Sequence, residues 1–194
     1  MLKYTGYIRK IRYYSESSHY IVALLEVEED QELLTMNGYM SNFNDYDKYA
    51  FYGDFEIHPK YGQQFKLDHY EIVLSTDEEE IIKYLSSPLF KGIGPTQAKY
   101  IVDALGENTL SLIKEDKHHL DLVKGMTVAK RELIYEVLTS NDYDQEVTQF
   151  FMGHGISLRH IGIIQETYKE KTLEILQNHP YQLVEDIDGI GFKT

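Results

Sequence analysis

Apolar and polar positions change rhythm once along this chain, near residue 75. Before that point they alternate in short runs. After it they recur at helical spacing. Residues 3–14, KYTGYIRKIRYY, alternate and are rich in Tyr and Ile, which predicts a strand. The turn cluster Ser15-Glu16-Ser17-Ser18 follows, then a nearly continuous apolar strand over 19–28 and a turn at Glu29-Asp30-Gln31. Further strands are predicted at 32–40, with Gly38 as a bulge candidate, at 48–57, interrupted by Gly53, and at 63–74, with Phe65, Leu67 and Ile72 facing inward. The polar loop 41–47 and the turn His58-Pro59-Lys60-Tyr61-Gly62 separate them. Five short strands bounded by turn signals predict a small barrel. An OB-like barrel has that strand number, and an SH3-like barrel is the competitor.

At Ser75-Thr76-Asp77-Glu78-Glu79-Glu80 the pattern becomes helical. A Ser, Thr or Asp caps a helix, and glutamates suit its positive end. The boundary is placed at 75–77. The fold class is then α+β: an OB-like five-stranded barrel over 1–75, followed by an all-α tandem helix-hairpin-helix region over 76–194. Within the second part, 89-LFKGIGPTQAKYIVDALG-106 reads as helix, Gly hairpin and helix. Gly92-Ile93-Gly94 makes the turn, Pro95 opens the next helix and Gly106 stops it. The free N–H groups of Gly94, Thr96 and Gln97 make an anion site.

This hairpin has relatives in the chain. Residues 109-TLSLIKEDKHHLDLVKGM-126 align with 172-TLEILQNHPYQLVEDIDGIG-191, matching Thr109 to Thr172, Ile113 to Leu176 and Leu120 to Leu183, and Gly125 to Gly189 after a one-residue shift. Hairpin centres therefore fall at Gly92-Ile93-Gly94, Gly125-Met126, Gly153-His154-Gly155 and Gly189-Ile190-Gly191. Recurrence marks tandem supersecondary units. The second copy lacks its second glycine, because Thr127 stands there, and so reads as degenerate. The fourth stops at Thr194 where its second helix should start, which predicts a longer protein.

Composition changes the picture in three ways. There is no cysteine, so disulfides and thiolate metal sites are excluded, and a cytoplasmic location is expected. No signal peptide and no membrane-length apolar run is present, so no membrane partner is expected. Seventeen Tyr and eight Phe suit half-buried sheet faces and base stacking alike; Tyr7, Tyr20 and Phe55 are candidate stackers. The net charge of −13 opposes a broad nucleic-acid surface, and both halves share it, at −5 for 1–75 and −8 for 76–194. Any DNA contact must be local. Candidate contacts are Lys91, Gly92, Ile93, Gly94, Thr96 and Lys99 at the first hairpin, and Lys124, Gly125, Lys130 and Arg131 at the second. Such contacts position the backbone without reading sequence.

No set of the eight histidines has a metal-ligand spacing, and no G-x-x-x-x-G-K-[ST] loop for ATP occurs. No catalytic residue is assigned and no cofactor is expected in these residues. A helix-hairpin-helix DNA glycosylase is a remote alternative, for which Asp121 is the candidate carboxylate. A protein-interaction module docking on a partner is the second alternative, favoured by the acidic balance.

The stretches 6-GYIRKI-11, 19-HYIVALLEV-27, 58-HPKYGQQFKL-67, 81-IIKYLSSPLFKGIGPTQAKYIVDALG-106, 171-KTLEILQNHPYQL-183 and 186-DIDGIGFKT-194 resemble the N-terminal region of bacterial RecD-like ATP-dependent DNA helicases of the stand-alone type. The resemblance implies an OB-like domain, helix-hairpin-helix units and then a superfamily 1 core in the same chain. It implies ATP and Mg²⁺ as cofactors of the full-length protein, single-stranded or junction DNA as partner, and 5′-to-3′ unwinding. It assigns DNA contact to Gly92, Ile93, Gly94, Gly189, Ile190 and Gly191.

Overall fold

The computed structural model describes residues 1–29, 32–140, 151, 156, 158–179 and 181–182. The predicted hairpins at Gly153-His154-Gly155 and Gly189-Ile190-Gly191 lie outside the described residues. The chain divides into two compact units. One takes in Met1–Phe43, Ala50–Glu71 and the described residues of Tyr143–Thr194, and the other Asn44–Tyr49 and Ile72–Asp142.

Five strands, β1 (Leu2–Tyr14), β2 (Tyr20–Val27), β3 (Leu33–Tyr39), β4 (Lys48–His58) and β5 (Gly62–Val73), close into a barrel in the order β1-β2-β3-β5-β4. β1, β2 and β3 pair antiparallel in sequence. β3 and β5 pair parallel, with Met36 opposite Phe65 and Asn37 opposite Lys66. This crossed order is an OB-like Greek key rather than a simple meander. Alternation builds the interior: Ile21, Ala23 and Leu25 of β2 are fully buried, together with Ile8, Met36 and Phe65. β4 runs unbroken through Gly53, contrary to the expected interruption. A side chain there would place its Cβ 2.0 Å from the carbonyl oxygen of Lys66, so the glycine is needed for β5 to approach closely.

The second unit is helical: α1 (Glu78–Leu85), α2 (Pro95–Leu105), α3 (Thr109–Glu115) and α4 (Val128–Thr139). Asp77 caps α1 by accepting the Glu80 N–H at 2.9 Å, and Glu78, Glu79 and Glu80 occupy the first turn. Glu80 also receives Lys48 at 3.2 Å and the Ser75 hydroxyl at 2.5 Å. Tyr84 donates its hydroxyl to the buried Asp47 at 2.7 Å. One core, from Ile81, Leu85 and Phe90 through Ile101 and Leu110 to Ile134 and Leu138, joins the four helices.

In the first unit, α5 (Leu158–Tyr168) and α6 (Thr172–Asn178) follow the barrel in sequence, and Ile161 and Ile164 of α5 are buried. Their connection copies that between α2 and α3. Short 3-10 turns at Gly106–Asn108 and Lys169–Lys171 begin with φ of 74° and 50°. The buried hydroxyls of Thr109 and Thr172 then donate to the Gly106 and Lys169 carbonyls at 2.5 and 2.6 Å. The repeat anchored on Thr109 and Thr172 is therefore physical: each threonine closes the turn before its helix.

Candidate nucleic-acid interface

The helical unit holds two hairpins, one between α1 and α2 and one between the 3-10 turn Lys117–Leu122 and α4. They share one set of bonds, displaced by 33 positions. Phe90 N–H donates to Ser87 at 3.1 Å, and Val123 to Leu120 at 3.0 Å. Ile93 donates to Phe90 at 3.1 Å, and Met126 to Val123 at 3.2 Å. Ala98 donates to Gly94 at 2.9 Å, and Arg131 to Thr127 at 3.0 Å. The backbone turns left-handed at Gly92 (φ 83°) and at Gly125 (φ 76°), a region that side chains other than glycine rarely adopt.

The second hairpin is thus complete in its backbone, and Thr127 does not degrade it. The reason lies in the dihedrals. Gly94 has φ −87° and ψ 174°, and Thr127 has φ −112° and ψ 160°, both extended conformations open to any residue. Only the first glycine of each hairpin is required by conformation. The two do differ at the helix they open. Gly94 supplies no side-chain cap to α2. Thr127 accepts the Lys130 N–H at 3.2 Å and so fills one of the open positions of α4.

The hairpins are neighbours. Gln97 on α2 donates its side-chain N–H to the Lys124 carbonyl at 3.0 Å, across from Gly125. The Lys124 ammonium lies 5.5 Å from the Tyr100 ring centroid. Lys91, Gly92, Gly94, Thr96, Lys99, Lys124 and Gly125 are all exposed. Ile93 is only 4% exposed and belongs to the core, so it seats the hairpin from below. Lys130 is half-buried. Arg131 is turned inward to Asp121 at 2.6 Å and Glu132 at 3.2 Å, and its side chain is 14% exposed. Gln97 was singled out from sequence only for its backbone N–H, and Tyr100 not at all. The recurrence of Lys-Gly at 91–92 and 124–125 is the signal that would have led to them, since it places both hairpins in one register.

Asp121, the candidate glycosylase carboxylate, lies in an exposed ion-paired cluster at the turn before α4. It is bonded to His118 at 2.9 Å and to Arg131 at 2.6 Å. Those hydrogen bonds, from His118 first and Arg131 second, hold its carboxyl below the ordinary carboxylate range. Lys117 and Arg131 do the same for Glu132. These are ion-paired surface carboxylates that brace the turn before α4. Among the described residues no group of three His, Asp or Glu side chains could hold a metal ion. No described helix is long and apolar enough to cross a membrane.

Of the three candidate stackers, Phe55 packs edge-on against Tyr4 and Phe65, with centroids 6.2 and 5.8 Å away. Tyr7 has the Arg9 guanidinium 5.5 Å from its centroid. Tyr20 stands between two other tyrosines on the outer face of the barrel.

Comparison with known families agrees with this architecture. The model for the OB-fold domain of the ATP-dependent DNA helicase YrrC matches residues 1–75. The model for the HHH domain of the ATP-dependent RecD2 DNA helicase matches residues 140–194. The second match covers α5, its turn and α6, the segment whose bonds repeat those of α2 to α3. An OB barrel ahead of hairpin-bearing helices, matched part by part to these two helicase-domain models, supports an N-terminal, DNA-binding region of a RecD-like DNA helicase.

Proposed function

We propose that this region holds DNA for a RecD-like motor through sequence-independent phosphate contacts at its hairpins. The observation that carries the reading is the duplicated hairpin. Two left-handed glycines, each preceded by an exposed lysine and followed by a helix N-terminus, are tied together by Gln97. Helix N-termini favour anions, and a glycine lets a phosphate approach the backbone. Lys91 and Lys124 supply charge; Thr96 and Lys99 flank the first hairpin, and Lys130 the second. The same role is assigned to Gly189, Ile190 and Gly191. The DNA is single-stranded or a junction, and the motor is a superfamily 1 core of the same chain moving 5′ to 3′. ATP and Mg²⁺ belong to that core. These 194 residues contain no G-x-x-x-x-G-K-[ST] loop, so they do not fit the nucleotide.

A salt titration of DNA affinity tests the reading. Phosphate contacts release counterions, so log K falls with log salt in proportion to their number. Lys91→Ala with Lys124→Ala should reduce that slope by about 2, equally for unrelated sequences. An unchanged slope would refute hairpin contact. The rival reading is a protein-docking surface, favoured by Leu122 and Val128, which are 79% and 65% exposed beside the second hairpin. It predicts apolar association that salt does not weaken.

A further inference from the structure

Gln97 belongs to one hairpin and touches the other. It is the third residue of α2, and its backbone N–H is among the open groups at the start of that helix, whose first internal bond runs from Ala98 to Gly94. Its side chain reaches the second hairpin, where the amide nitrogen donates to the Lys124 carbonyl at 3.0 Å. The amide oxygen lies against Gly125: a Cβ there would stand 3.2 Å from it. Only the nitrogen end can meet a carbonyl, so the bond fixes which way the amide faces. Gln97 is half-buried, and Lys124 and Gly125 are exposed.

That bond decides where the next N–H points. The Lys124 carbonyl and the Gly125 N–H belong to one planar trans peptide, in which they point in opposite directions. With the carbonyl held by Gln97, the Gly125 N–H is directed away from α2. It donates to no group among the described residues. The Lys124 ammonium pairs with no carboxylate among them and lies over the Tyr100 ring instead. Adjacent residues therefore offer one N–H and one ammonium. The first hairpin has no such brace. Lys130 stands at the position that matches Gln97, and the Lys91 carbonyl accepts no hydrogen bond among the described residues.

We infer that Gln97 is a positioning residue for a backbone phosphate at the second hairpin: it holds the Lys124–Gly125 peptide with its N–H free to meet the anion. The phosphate touches Gly125 and Lys124, and Gln97 acts through the peptide between them. A glycine leaves that peptide free to rotate, because positive and negative φ are both open to it. Fixing the peptide in advance removes an ordering cost from the binding step. The inference rests on the reading of the hairpins as phosphate contacts, and it names the residue that prepares one of them.

The test follows the backbone amide shifts of the isotope-labelled chain, and its affinity, as a short oligothymidylate is added. Binding should move the Gly92 and Gly125 amides of the parent. Gln97→Met keeps the length of the side chain and removes the donor. It should weaken affinity about three- to tenfold, as loss of one hydrogen bond does, and diminish the Gly125 response while the Gly92 response stays. Gln97→Glu, equally long and without a donor at neutral pH, serves if the methionine variant fails to fold. Gln97→Lys supplies a donor again and should restore the Gly125 response. An undiminished Gly125 response in the variants without a donor would overturn the inference. Equal loss at both glycines would overturn it too, because general loosening of the helical unit acts on both. A lysine variant as silent at Gly125 as the methionine one would do the same. Each of these results leaves the hairpin reading standing. Silence at both glycines in the parent would refute that reading, and this inference with it.

Discussion

The hairpins at Gly92–Gly94 and Gly125–Thr127 reach one backbone through different residues. The first has Gly94 and Pro95 where the second has Thr127 and Val128. The first is supported from within by Ala98, fully buried on α2. At the position corresponding to Ala98, the second has Arg131, tied to Asp121. The difference teaches which parts of a Gly-x-Gly signature are conformational and which are not. The first glycine is needed for a positive φ. The second position is an ordinary helix cap. A glycine there leaves the N–H groups of α2 open to an outside oxygen, whereas Thr127 covers part of α4 with its own hydroxyl. The first hairpin is therefore the more open to phosphate, and the second the more self-sufficient.

The strongest way to break this comparison is at the shared glycines. Gly92→Val and Gly125→Val each force a β-branched residue to positive φ, a strain of about 1–3 kcal/mol. Urea unfolding should show both losses. If one variant were as stable as the parent, the two hairpins would not be equivalent. The cost at Gly125 should be slightly the larger, because a Cβ there stands 3.2 Å from the Gln97 side-chain oxygen.

Exchanging the caps has a smaller effect. Thr127→Ala should cost about 1 kcal/mol, the worth of a lost N-cap. Gly94→Thr should fold normally, since no atom lies within 4 Å of the added Cβ, and should gain a few tenths of a kcal/mol. The same substitution should weaken DNA binding by capping the open helix end. Unchanged affinity with raised stability would remove Gly94 from the interface.

The smallest effect is acid sensitivity confined to the second hairpin. The Asp121 carboxyl is held below its ordinary value by His118 and Arg131. A depressed folded pKa gives stabilisation that is present above the unfolded value, about 4, and lost as pH falls through the lower folded one. Amide exchange at Lys124–Thr127 should therefore rise, relative to Gly92–Gly94, as the solution is acidified through that window. Asp121→Asn should abolish the difference, and high salt should reduce it because the pair is exposed. Equal acid response at both hairpins would show that the ion pair braces nothing.

Much of the fold was legible along the chain. All five strands fall within a few residues of their predicted spans, because period-two alternation and Gly, Pro and Asn turns are local signals. Gly106 as a helix stop was equally readable, whereas the α1 cap stayed open among Ser75, Thr76 and Asp77, and Thr109 and Thr172 were visible only as matched positions of a repeat. Gly53 was misread as a break because its partner, the Lys66 carbonyl, is remote in sequence. Thr127 was read as decay because the glycine pattern does not say which glycine the dihedrals require. Tyr20 was visible as a candidate, whereas its neighbours Tyr13 and Tyr39 come from strands whose register only pairing reveals.

By itself, then, the sequence determined the five strands, the helical segments and the presence of hairpins, all consequences of side-chain periodicity and short-range backbone preference. The tertiary structure alone decided the strand order with its parallel β3–β5 pair, the seating of two hairpins beside Gln97 and the placing of Tyr20 between Tyr13 and Tyr39. Those depend on contacts between residues far apart in the chain. Their partners are chosen by burial and packing, which no local pattern encodes.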